Sequence, residues 1–153
     1  MPREIKAFSK IFTLGDRHIQ HLFEDEVEIT EKIDGSQFDF GKIDGQLVCR
    51  SKGKVMEIES PDKMFKLGVD YIVSIQDKIP DNTIFYCEYL NKPKHNVLAY
   101  ERVPKNNIIC FGASTPDLIT LDYITLAEEI DIECVPIIFE GKISGIDQIQ
   151  SVL

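Results

Sequence analysis

Residues 27–58 read VEITEKIDGSQFDFGKIDGQLVCRSKGKVMEI, and the punctuation of this stretch decides the fold. Residues 27–32 alternate, with Val27, Ile29 and Glu31 on one side, and Asp34-Gly35 follows as a turn signal. Alternation resumes over 37–43 through Phe38 and Phe40, and Asp44-Gly45 turns the chain again. Residues 47–51 return, Gly53 breaks, and 54–58 has room for a short fourth strand. An Asp-Gly pair between alternating runs is a strong hairpin signal, because both residues tolerate positive φ. Two such pairs so close together predict a β-meander across the whole stretch.

Downstream, Ser60-Pro61-Asp62 has the chemistry of a helix start: an N-cap, a preset φ and an acid at the positive end of the dipole. Met64, Leu67, Tyr71, Ile75 and Ile79 follow at helical spacing, and Pro80-Asp81-Asn82 ends the run. Gly68 falls on that face, where it either weakens the helix or marks a close approach to a sheet. Residues 83–90 (TIFYCEYL) are β-branched and aromatic, hence a strand, and 107–113 (NIICFGA) read as a buried strand. Between them, 91–104 hold two prolines and several charges and predict a long ordered loop. A short helix is expected over 121–131, with Leu121, Ile124 and Ile130 inward, then an edge strand over 134–139 containing Pro136. Ser144 is placed to cap a last segment, where Ile146, Ile149 and Leu153 have helical spacing. Early hairpins, then strands separated by helices, predict an α+β fold with largely antiparallel sheet.

The 153 residues are 43% hydrophobic and 28% charged, which excludes disordered and collagen-like classes and allows one domain with a sizeable core, hardly two. Seventeen Lys and Arg against 26 Asp and Glu leave a net charge of −9, unfavourable for non-specific phosphate binding. A nucleic-acid role therefore has to rest on local basic patches. No stretch approaches the ~20 apolar residues that span a membrane, and MPREIKAFSK has no apolar signal core. Cys49, Cys87, Cys110 and Cys134 form no CxxC pair and read as free thiols in a reducing compartment. These features predict a cytoplasmic protein without a membrane partner.

The segment with most chemistry is Glu31-Lys32-Ile33-Asp34-Gly35-Ser36. A lysine at the end of a strand, followed at once by a turn, is held at a sheet rim where its amine reaches open space. Free lysine titrates near 10.4, so a nucleophilic role demands partial burial or nearby cations, a bound metal among them, that favour the neutral amine. The plain alternative is a solvated lysine at a strand end.

This segment resembles motif I of the covalent nucleotidyltransferases, the ATP- and NAD-dependent ligases and mRNA capping enzymes. Further blocks stand in the family's order. Arg50-Ser51-Lys52-Gly53 is similar to the next block, Phe85-Tyr86-Cys87-Glu88-Tyr89-Leu90 to motif III, and 107–113 with Phe111 to motif IIIa. Lys10-Ile11-Phe12-Thr13-Leu14-Gly15 and Arg17 look like the usual run-in to motif I. Ligases of DNA and capping enzymes typically carry an arginine two residues after the motif glycine, where Gln37 stands here. The EKxDGS form and the RSKG block look more like ATP-dependent RNA ligases of the RNA ligase 2 type.

The resemblance implies an adenylation domain of the nucleotidyltransferase (ATP-grasp-like) kind, using ATP with Mg2+ (or Mn2+) to join RNA ends. It makes Lys32 the adenylated catalytic nucleophile and Glu31, Asp34, Gly35, Arg50, Glu88 and Phe111 nucleotide-binding residues. Glu31 would help define the adenine pocket, Arg50 contact ribose or phosphate, and Glu88 accept from a ribose hydroxyl. Phe111 would stack on the purine, a contact worth about 1–3 kcal/mol. Asp34 either fixes the turn or orients the lysine. Ordinary readings stand beside these: Phe111 as core packing, Arg50 with Lys52 and Lys54 as a charged strand edge, and Glu88 as a carboxylate needing a partner.

Lys92, Lys94, His95, Arg102 and Lys105 make a locally basic stretch, either a contact for triphosphate or RNA backbone or a polar exposed loop. His18 and His21 lie three apart beside Asp16 without an evident third metal ligand. The family's motif IV glutamate and motif V lysines have no counterpart in the sequence; Phe139-Glu140-Gly141-Lys142-Ile143 arrives too early and reads as an ordinary strand. The chain is thus expected to be the N-terminal portion of such a domain, with a complementing C-terminal half as a possible partner. The alternative is a non-catalytic nucleotide-binding or interaction module.

Overall fold

The computed structural model describes residues 5, 8, 10–115, 119–120 and 122–153. In chain order these form β1 (Val27–Thr30), β2 (Ser36–Ile43), β3 (Gln46–Ser51), β4 (Lys54–Met56), α1 (Lys66–Ser74), β5 (Thr83–Tyr89), β6 (Ile108–Ser114), β7 (Ile119–Thr120), α2 (Tyr123–Glu129), β8 (Glu133–Cys134), β9 (Ile137–Gly141) and α3 (Ile146–Val152). The chain divides into two units, one of residues 1–6 and 33–134 and one of 7–32 and 135–153. The fold is mixed α+β, and every strand pair is antiparallel except β6 with β8. Among the described residues, no helix is long and apolar enough to cross a membrane.

The first unit is built on a sheet in the order β4-β3-β2-β5-β6-β7, with β8 also pairing β6. Alternation on its central strands sends Phe38, Phe40, Phe85, Cys87, Tyr89, Ile108 and Cys110 to one face. Phe65 and, from the two helices, Val69, Ile72, Tyr123 and Ala127 complete that core. Its aromatic rings interlock: Phe40 stacks on Phe85 with centroids 5.3 Å apart, and Phe65 meets Tyr89 at 5.2 Å in a tilted pair. Cys87 lies opposite Cys110, and Cys110 opposite Cys134, so three of the four free cysteines form one row across β5, β6 and β8.

The second unit pairs β1 with β9, Val27 opposite Gly141 and Ile29 opposite Phe139, with an irregularity at Ile29/Thr30. This corrects the expected meander. Strands β2, β3 and β4 do form one, and Asp44 (φ 49°) with Gly45 (φ 80°) makes the left-handed turn that Asp-Gly predicts. The first strand does not join it, so Asp34-Gly35 is not a hairpin turn. Residues 134–139 likewise are not one strand: Val135-Pro136 separates β8 in one unit from β9 in the other. Pro136 has no N–H to continue a ladder, although its carbonyl accepts the Glu31 N–H at 3.0 Å.

The first helix also starts later than Ser60-Pro61 suggests. A 3-10 turn over Lys63–Phe65 precedes α1, which makes Phe65 rather than Met64 the first inward residue and leaves Leu67 exposed. Tyr123 and Ala127 carry the buried face of α2 along with the expected Ile130, while Leu121 lies outside the described residues. At the last helix Gly145 occupies the cap, and Ser144 Oγ donates instead to the Gln148 side chain at 2.8 Å.

Gly68 is where α1 comes closest to the sheet: a Cβ there would lie 2.9 Å from the buried ring of Tyr89. Alanine in a helix is favoured over glycine by about 1 kcal/mol, but overpacking a rigid aromatic costs about 1–3 kcal/mol. Gly68→Ala is therefore expected to lower the urea midpoint of unfolding; a raised midpoint would show that Tyr89 can yield.

Candidate functional site

Because Phe38 and Phe40 fill the core face, Gln37 and Asp39 project from the opposite face of β2. The register then assembles a polar patch. Arg50 on β3 lies opposite Asp39, Tyr86 on β5 faces Asp39 from the other side, and Glu88 lies opposite Gln37. On β6, Gly112 lies opposite Tyr86 and Ile109 opposite Glu88. Five polar side chains thus share one face of β3-β2-β5, backed by a dry core.

The Asp34-Gly35 segment is fastened to this face by two different devices. Gly35 donates its N–H to Glu88 Oε2 at 3.2 Å, so the expected need of Glu88 for a partner is met by main chain. A Cβ on Gly35 would lie 2.6 Å from the Tyr89 carbonyl oxygen, so close backbone approach, not positive φ, requires glycine here. Asp34 turns outward and accepts the N–H groups of Val97 and Leu98, both at 2.9 Å, and the Asn96 side-chain amide at 3.2 Å. These donors hold its carboxyl below the usual carboxylate range, the Leu98 amide contributing most. Asp34 thereby caps the 96–98 loop tip, a role its sequence did not suggest.

The loop over 91–104 is tied down elsewhere as well. Tyr100 Oη accepts the Asp34 N–H at 2.8 Å. Ser36 Oγ lies 2.7 Å from His95 Nε2, while His95 Nδ1 accepts the Asn91 N–H at 3.0 Å. In the neutral ring the proton therefore sits on Nε2 and is donated to Ser36, so this pair is a brace and not a base activating a serine. Of the basic residues near the loop, Arg102 pairs with Glu133 at 2.9 Å and Lys105 with Asp131 at 2.5 Å, while Lys92 and Lys94 are exposed.

Asp39 was not singled out from the sequence, yet it is the only fully buried carboxylate among the described residues. Gln37 Nε2 donates to its Oδ2 at 2.5 Å, and Oδ1 has no hydrogen-bond partner. Burial pushes its carboxyl up to about 6; Gln37, the Cys87 N–H and the Arg50 guanidinium offset that only in part. Arg50 donates Nη1 to the Ile5 carbonyl at 2.7 Å. Tyr86 Oη lies 3.1 Å from Ser114 Oγ, and burial raises its phenol. The available sequence signal was the alternation itself, which puts Asp39 across the sheet from Phe38 and Phe40.

Phe111 occupies the irregularity where Tyr86 pairs with Gly112 and Cys87 with Cys110. It is half-buried and stands outside the core cluster that holds Cys110 and Ala113. A bulge of this kind re-aims a side chain away from the regular alternation. Glu31 and Lys32 close the run that belongs to the second unit, and Ile33 opens the first; Lys32 is exposed, Glu31 half-buried. His18 and His21 bond to neighbouring acids, Asp16 at 2.7 Å and Glu24 at 2.9 Å. Among the described residues no group of three or more His, Cys, Asp or Glu could hold a metal ion. No family model matches the chain, and no curated protein matches it.

Two outcomes follow from this geometry. Asp34→Ala removes three donors' acceptor at once, so limited proteolysis should cut between residues 94 and 100 faster than in the wild type, with the 33–90 portion spared; unchanged cleavage contradicts the cap. For Asp39, a folded-state pKa above the unfolded 3.8 means stability is greatest at acid pH and falls as pH rises through about 6. Two pKa units amount to about 3 kcal/mol. Asp39→Asn should therefore gain stability relative to wild type between pH 4 and pH 8, by up to that amount. A difference independent of pH contradicts it.

Proposed function

We propose that this chain is the adenylyltransferase portion of an ATP-dependent RNA ligase, of the RNA ligase 2 type, with Lys32 as its nucleophile. The observation that supports this most is the Gly35 N–H bond to Glu88, because it ties the turn three residues after the lysine to the strand carrying the motif III carboxylate. Two segments 53 residues apart are joined by this bond. Arg50 and Glu88 on one polar face, with Phe111 at a bulge outside the core, suit recognition of phosphate, ribose and base respectively.

In the proposed first step the neutral Lys32 Nζ attacks the α-phosphorus of ATP. An N–P bond forms, the bond from the α-phosphorus to the bridging oxygen breaks, and pyrophosphate leaves with that electron pair while the amine sheds a proton to solvent. The AMP then passes to an RNA 5′-phosphate, and a 3′-hydroxyl attacks that phosphate, expelling AMP and closing the strand. The divalent ion, Mg2+ or Mn2+, would enter with the triphosphate as part of the substrate. Arg50 offers directed donors to the phosphate or ribose oxygens once its bond to the Ile5 carbonyl is exchanged. Positioned cations carry most of the stabilisation in phosphoryl transfer, so the motif IV and V groups, when supplied by a complementing C-terminal half, are expected to raise the rate strongly. Binding of RNA ends falls to exposed cations such as Lys92 and Lys94, given the net charge of −9.

Incubation with α-labelled ATP and magnesium, then denaturing electrophoresis, examines this directly. The expected result is label that survives denaturation in the wild type, alone or with the complementing half, and disappears in Lys32→Ala. Binding of ATP without covalent label under both conditions favours the non-catalytic nucleotide-binding module, and labelling by GTP but not ATP overturns the choice of nucleotide.

A further inference from the structure

Asp39 is the fully buried residue of the polar face, and the proposed chemistry does not use it. Asp39 sits on β2, a strand paired on both sides, with no accessible surface. An apolar side chain there would stabilise the sheet, because the buried acid carries a desolvation cost that its neighbours offset only in part. What surrounds it is specific. Gln37 holds Oδ2, Arg50 is its cross-strand neighbour on β3, and Tyr86 its neighbour on β5. The other titratable group in this patch is Glu88 on β5, already engaged by the Gly35 N–H, while β6 brings only Gly112 to this row. Arg50 itself is half-buried and bonded to a single main-chain carbonyl, a neutral acceptor that a phosphate or ribose oxygen could replace.

We propose that Asp39 is a positioning residue of the nucleotide pocket: with Gln37 as its brace, it holds the Arg50 guanidinium on the polar face, ready to exchange the Ile5 carbonyl for an oxygen of the nucleotide. The effect passes through Arg50, and Asp39 touches no reacting atom. The stability lost to burying the acid is the counterpart of keeping a cation oriented where a ligand needs it. This inference rests on the nucleotide reading for its ligand, but the coupling between Asp39 and Arg50, neighbours across β2 and β3, can be measured without one.

A double-mutant cycle on the full chain tests it. KM for ATP and the rate of label incorporation are followed from pH 5 to pH 8 for wild type, Asp39→Asn, Arg50→Lys and the double variant. Asp39→Asn should raise KM at pH 8 by about tenfold, the scale on which small misplacements act. It should also flatten the pH dependence of KM near 6, and add nothing further once Arg50 is replaced. Additive effects in the two backgrounds overturn the proposal. In parallel, the Asp39 carboxyl is titrated by carbon NMR without nucleotide, in wild type and Arg50→Ala. Loss of the guanidinium should move its midpoint upward, and an unmoved midpoint overturns the coupling whether or not the protein takes label. A shifted midpoint in a protein that never takes label overturns the nucleotide reading instead.

Discussion

Strand β2 imposes the constraint on which the first unit depends: Phe38 and Phe40 must enter the core, so Gln37 and Asp39 must leave it on the other side. Period-two geometry admits no compromise, since slipping one residue would bury the acid among aromatic rings and expose two phenylalanines. The ladders to β3 and β5 then copy this choice outward, placing Arg50, Tyr86 and Glu88 on the polar side without further instruction. A rigid aromatic interior on one face thereby fixes a polar constellation on the other. The site inherits its order from the core.

The same dipeptide in two places shows what local sequence can and cannot specify. Asp44-Gly45 makes the left-handed turn its chemistry favours, and the long-range bonds from its N–H groups to Asn82 and Asp81 leave that turn in place. Asp34-Gly35 does not, because long-range groups claim both residues: the amides of Val97 and Leu98 take the carboxylate, and the Tyr89 carbonyl lies too close for any side chain on Gly35. Tertiary donors 63 and 64 residues away outweigh a turn preference worth little by itself. Pairing of β1 with β9 was beyond a single-sequence reading for the same reason, as nothing within 27–58 signals a partner at 137–141.

Much of the candidate site was legible, and what was missing is instructive. Strand β5 announced itself through its β-branched and aromatic run, and Glu88 stood out in it as an acid needing a partner, which turned out to be the Gly35 amide. Asp39 stayed hidden because acids at alternate strand positions ordinarily face water, whereas this one is fully buried. The basic loop carried two readings from its sequence, a contact for triphosphate or RNA backbone and a polar exposed loop. His95 and Arg102 look like ligand contacts in a list of charges, yet each is engaged in holding the loop to its own unit.

The proposed activity requires a covalent bond between the amine of Lys32 and the α-phosphorus of ATP. Tandem mass spectrometry of peptides from the chain, incubated with ATP and magnesium with and without a complementing C-terminal half, observes that bond at residue level. The expected result is one AMP on the peptide containing Lys32, released by mild acid as a phosphoramidate should be. An unmodified Lys32 under both conditions, or AMP attached to any other residue, contradicts it.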